Sequence, residues 1–299
     1  MKKLVCGLIL ALTWLPAHAA LNVLACEPEW AALASEIGGD DEVKATSATT
    51  GLQDPHRIEA RPSLIARVRN ADLLVCTGLE LESGWLPVLL AQSGNPRIQP
   101  GQPGFLAIGP LVPRLDAGGS LDRSQGDVHA GGNPHVQLDP RNIAVAGEAL
   151  ARRLSELVPA HAALYASRQQ DFAARWDAAR RRWEQQGAPL KGIGVITHHK
   201  DMVYLIEWLG MRELGNLEPK PGLEPSSFHL AELLQQLQQQ PARLVLRTPY
   251  QSERASEWLA EKAGIPALML PNTVGGSDAA TDLFALYDDI LQRLLGAVK

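Results

Sequence analysis

Residues 21–78 read LNVLACEPEWAALASEIGGDDEVKATSATTGLQDPHRIEARPSLIARVRNADLLVCTG, and their rhythm decides the fold. Three short strand-like runs (21–26, 42–48 and 72–78) are separated by two segments with helical spacing (30–39 and 63–71). Strands and helices taking turns build βαβ units on a mostly parallel sheet. Working outward, an apolar helical stretch follows Gly84, and residues 94–134, rich in Gly and Pro, read as a long loop. Between Asp139 and Gly187, Ala, Arg, Leu, Glu and Gln recur at helical spacing. Pro159 divides this region into an ordinary helix and a long one; residues 159–186 would span about 40 Å as a helix. Alternation then resumes with GIGVITHH, MVYLIEWLG, SSFHLAELLQQLQQQ, RLVLRT, SERASEWLAEKAG, PALML and DLFALYDDILQRLLGAV. The expected fold class is α/β, with two lobes of mostly parallel sheet at residues 20–138 and 188–299, bridged by one long helix within a helical region at 139–187. A ligand site belongs in the interlobe cleft, because loops at strand C-termini face it.

The first twenty residues carry Lys2 and Lys3, a twelve-residue apolar run from Leu4 to Leu15, then Pro16 and Ala17-His18-Ala19. That is the layout of a secretory signal peptide, residues 1–19, and the run is too short to span about 30 Å of hydrocarbon. Cys6 lies inside the run, which argues against a lipid-modified cysteine. Export places the protein in the periplasm, where thiols meet an oxidising environment. Cys26 and Cys76 remain, each at the end of a strand-like run, and two readings stand: a disulfide between neighbouring strands, or two buried thiols. Two cysteines exclude a four-thiolate metal site. The net charge of −5 argues against nucleic acid or an anionic membrane surface as partner.

Seven histidines lie beyond residue 19: His56, His129, His135, His161, His198, His199 and His229. His56, His135 and the His198-His199 pair come from three separate parts of the chain, yet each stands just before a helix, and the pair closes a strand. Neutral imidazole is the commonest zinc ligand, and three such nitrogens leave a fourth tetrahedral position open. The prolines before His56 and His135 stiffen the backbone approach. His161 and His229 are read as structural, and the tryptophans, irregularly spaced, as packing.

The segments LACEPEWAALASEIGG, QDPHRIEARPSL, GDVHAGGNPHVQLDPRN, THHKDMVYLIEWLG and LPNTVGG resemble the zinc-specific solute-binding proteins of bacterial metal ABC importers, the cluster A-I family, in colinear order over the mature chain. The resemblance implies two Rossmann-like lobes bridged by one rigid helix, with Zn²⁺ in the cleft as transported ligand. It places metal ligands on His56, His135 and His199; the last is chosen over His198 because His199-Lys200 and Tyr204 match the family pattern. His198 is then expected on the strand's other face. Many relatives add a carboxylate before the last helix; here that position falls near Asn272, with Asp278 six residues later, so the fourth ligand is Asp278, a water or none. His129, with Asp122 and Asp127, resembles a reduced form of the relatives' histidine-rich loop, or is simply a solvated loop. Glu218 and Lys220 lie in a stiff LEPKPG turn that shapes the cleft rim or the face offered to a transporter.

The function so implied is high-affinity zinc capture for the membrane permease of an ABC importer, with no enzymatic activity; a monomer is expected, and a periplasmic zinc chaperone is a further partner. Three other readings share parts of this pattern: a manganese-binding homologue, a free-standing zinc chaperone and a zinc hydrolase. Mn²⁺ favours more oxygen ligands than this nitrogen-rich set offers, and the chain has no His-Glu-x-x-His motif.

Overall fold

The element order follows from short apolar runs that end at turns. A computed structural model describes residues 20–118 and 126–299; the expected signal peptide and Asp122 lie outside them. The first half gives β1 (Leu21–Ala25), α1 (Pro28–Gly38), β2 (Val43–Ser47), α2 (Pro62–Asn70), β3 (Leu73–Cys76), α3 (Leu86–Ser93) and β4 (Phe105–Ala107). Two helices follow, α4 (Pro140–Leu157) and α5 (Ala162–Gly187). The second half gives β5 (Gly194–Thr197), α6 (Val203–Leu209), β6 (Arg212–Asn216), α7 (Ser227–Gln239), β7 (Leu244–Arg247), α8 (Glu253–Ala263), β8 (Ala267–Met269) and α9 (Leu283–Ala297).

Each half forms one four-stranded sheet, ordered β2-β1-β3-β4 and β6-β5-β7-β8, with every pairing parallel. The expected α/β class with two parallel sheets is therefore what the chain adopts. Two strands escape the sequence pattern. β4 is three residues long, too short to display a period, and sits inside the stretch expected to be all loop. β6, Arg-Glu-Leu-Gly-Asn, is a half-exposed edge strand. Its two charges and its glycine mask the β signal.

The link between the halves is thicker than a single helix. α5, with 26 residues and a length of about 39 Å, buries Tyr165, Phe172, Trp176 and Trp183 along one side. Trp176 and Trp183 pack against Tyr287 of α9 at ring separations of 5.4 and 4.9 Å. Arg175, whose guanidinium lies 5.3 Å from the ring of Phe284, also pairs with Glu36 of α1 at 2.7 Å. One hydrophobic core runs from Val23 and Trp30 through these aromatics to Val195, Leu244 and Leu286. Burying large aromatics across the junction resists hinge opening, because opening would expose apolar area.

Cys26 and Cys76 form a disulfide. β1 and β3 are adjacent parallel strands, and the Cys26 N–H donates to the Val75 carbonyl at 2.7 Å, so the two strand ends are held side by side. Three carboxyls are buried beside this point: Glu27, Glu29 and Glu82. Burial raises the pKa of Glu29 and of Glu82 to about 7. A carboxyl whose pKa rises on folding stabilises the native state fully below its unfolded pKa, near 4.5, and loses that contribution as pH rises through about 7. Glu29→Gln keeps an acceptor for the Thr273 hydroxyl and removes the ionisation. The variant should therefore melt higher than the unsubstituted protein by about 3 °C or more at pH 8, with little gain at pH 5. An equal gain at both pH values, read by calorimetry, would contradict the assignment.

Candidate metal centre

The three histidines lie on connections that lead from strands into helices. His56 lies within the connection from β2 to α2. Its own backbone N–H and its Nδ1 both contact Asp54 Oδ1, at 3.0 and 2.8 Å, and Trp85 Nε1 pins the intervening Pro55 carbonyl at 2.8 Å. The Asp-Pro-His sequence thus folds back on itself and leaves Nε2 buried with no partner. His135 is held similarly, its N–H donating to Asn133 Oδ1 at 3.0 Å, but both of its ring nitrogens are buried and unpartnered. His199 follows the end of β5, and its Nδ1 contacts Glu218 Oε2 at 2.6 Å.

One ring nitrogen from each of His56, His135 and His199 lies within 4.8 Å of the others. His56 and His199 stand 143 positions apart in the sequence, and ties across the cleft bring the three rings together. Asn133 Nδ2 donates to the Lys200 carbonyl at 2.7 Å. The Tyr204 hydroxyl donates to the Asn133 carbonyl at 3.0 Å and accepts from the Leu115 N–H at 3.1 Å. The tyrosine singled out by its spacing from His199 therefore fixes the loop that carries His135.

Electrostatics separate the three rings. Burial, reinforced by charge on His56 and His199, pushes His135 well below the usual histidine range. For His199 burial acts in the same direction, but the Glu218 hydrogen bond and the carboxylates of Asp201, Glu218 and Asp54 outweigh it and raise the pKa. The site so combines one imidazole held neutral with two whose Nδ1 atoms face carboxylates. Such carboxylate–imidazole pairs fix the tautomer, orient the ring and increase its basicity as a ligand.

The remaining candidates fall in different places. His129 is drawn close, its ring 5.5 Å from that of His56, and burial lowers its pKa to about 3, yet it is not in the three-nitrogen group. His198 is buried and lines a cavity with His56 and His199. It is not in the three-nitrogen group. Asp278 is exposed and does not join the histidines, and Asn272 is buried with its backbone carbonyl accepting from Gln137 Nε2 at 3.1 Å. His161 pairs with Glu42 at 2.6 Å and His229 Nε2 contacts the Asn216 carbonyl at 2.9 Å, away from the centre. Sequence reasoning missed Asp54 and Asp201. Asp54 had a local signal, an acid two residues before His56 across a proline. Asp201 is fully buried, with one carboxylate oxygen receiving Gln251 Nε2 at 2.8 Å, and nothing in the chain pattern marks it.

The two α/β halves, each with a parallel sheet, thus bring imidazoles from both halves of the chain together at one site. Over residues 23–297 the chain matches the family described as zinc-uptake complex component A, periplasmic (ZnuA), and it belongs to that family. It is 26% identical over 220 residues to the high-affinity zinc uptake system protein ZnuA of Yersinia pestis, covering 65% of this chain and 65% of that protein. The ZnuA protein of Bacillus subtilis is 22% identical over 253 residues, 82% of this chain and 76% of the relative. A crystal structure of a ZnuA superposes with a TM-score of 0.77 at 21% identity, covering 94% of this chain and all of the other, which establishes the shared fold. The matched part is just under two thirds of the Yersinia protein's length.

Proposed function

We propose that this protein is a periplasmic, high-affinity zinc-binding protein that captures Zn²⁺ through His56, His135 and His199 and hands it to the permease of an ABC importer. The observation that carries the reading is the convergence of one ring nitrogen from each of three histidines within 4.8 Å, two of the rings being braced by carboxylates at Nδ1. Donors about 2.0–2.1 Å from a tetrahedral zinc stand roughly 3.4 Å apart, so a small inward movement of the rings completes the set. An all-imidazole set suits zinc better than manganese, which favours oxygen donors. Zinc is cargo in this reading, and the fourth position is filled by water or left for transfer.

The purified mature protein, exposed to equimolar zinc, manganese, copper and nickel and then desalted, should retain about one zinc per chain. Retention of manganese with zinc excluded would overturn the reading. The braces have a separate signature: Glu218→Gln and Asp54→Asn should each weaken zinc binding by about 10–100-fold. Chelator competition measures this, and unchanged affinity in both variants would remove the carboxylates from the account.

A further inference from the structure

We propose that a clasp across the cleft mouth, formed by Gly126 and Asp127 against the Glu218–Gly222 turn, sets the rates at which zinc enters and leaves; the proposal rests on the zinc reading above. The clasp is built from close backbone approach. The Asp127 N–H donates to the Pro221 carbonyl at 2.8 Å. Gly126, at φ +91°, lies so near that a Cβ there would stand 1.9 Å from the same oxygen. Gly222, at φ +78°, gives room to the Asp127 carboxylate, which a Cβ would meet at 2.2 Å. Only glycine supplies both the positive φ and the space.

The turn is tied to both sides of the metal centre. Glu218 Oε2 takes the Gly222 N–H at 2.7 Å and contacts His199 Nδ1 at 2.6 Å. Arg57, the neighbour of His56, donates to the Gly222 carbonyl at 3.4 Å and faces Asp127 at 3.6 Å. Three cavities, of about 390, 140 and 160 Å³, reach the histidines, and Asp127 is the residue common to their walls. Asp127 therefore borders each of the three openings beside the histidines. Gly126 and Asp127 meet the turn at Pro221 and Gly222 and leave the Glu218–His199 contact in place, so loosening the clasp at these two residues lowers the barrier in both directions and leaves the equilibrium nearly unchanged.

The test is stopped-flow zinc exchange, with Zn²⁺ alone and a chelating dye, on the full mature protein and its Gly126→Ala and Asp127→Ala variants. Association and dissociation rates should both rise about tenfold, with Kd within about twofold of the unsubstituted protein. Asp127→Ala, at a side chain 37% exposed, keeps the test available if Gly126→Ala fails to fold. Unchanged rates in a folded Asp127→Ala variant would overturn the clasp while the zinc reading stands. Faster release with unchanged association would make Asp127 a ligand and overturn it too. Failure of the unsubstituted protein to bind zinc would overturn the functional reading itself.

Discussion

His135→Ala is expected to weaken zinc binding by about a thousandfold, and His56→Ala and His199→Ala by similar factors. A structural zinc contributes about 10–16 kcal/mol over four positions, so one imidazole is worth roughly 3–4 kcal/mol, or two to three decades in Kd. His135 should sit at the upper end. It is 1% exposed, both of its ring nitrogens lack any other partner, and its low pKa means that zinc displaces no proton from it near neutrality. His161→Ala and His229→Ala remove rings committed to Glu42 and to the Asn216 carbonyl and should leave affinity unchanged. Competition with a chelator of known affinity measures all five, and equal losses across the set would contradict the assignment.

Loss of the Cys26–Cys76 bridge should carry the largest effect on stability. The bond closes a segment 50 residues apart in sequence, and a loop of that size restrains the unfolded chain by about 4 kcal/mol. Both sulfurs are fully buried, so a Cys26→Ala, Cys76→Ala double variant also loses packing around the ends of β1 and β3. A clear fall in the urea midpoint, with a steeper slope because the unlinked unfolded chain exposes more surface, is the expected result. An unaltered midpoint would show that the unfolded chain is already restrained there. Zinc affinity should be retained, since neither cysteine belongs to the histidine group.

The parts of the molecule legible in the sequence are those governed by local periodicity. The rhythm of residues 21–78 is enough to specify β1 to β3 with their helices, and the proline-preceded histidines announce two rings of the centre. What was not legible depends on partners distant in sequence. β4 and β6 are strands because β3 and β5 offer them an edge, not because FLA or RELGN has a period. Glu218 stands 19 residues from His199 and meets it only because the end of β6 lies beside the end of β5. The continuous aromatic core between the halves is equally hidden, since Trp176, Trp183, Phe284 and Tyr287 meet only after both lobes form. That core supports modest lobe shifts and local loop changes, rather than wide closure, as the motion that accompanies zinc exchange.

X-ray absorption at the zinc edge of the loaded protein tests most directly whether three imidazoles hold the metal. The expected spectrum has three imidazole nitrogens at about 2.0–2.1 Å, with their outer-ring scattering, and at most one further light atom. Loss of one imidazole shell in His135→Ala would complete the result. A six-oxygen shell, or sulfur at about 2.3 Å, would contradict the account.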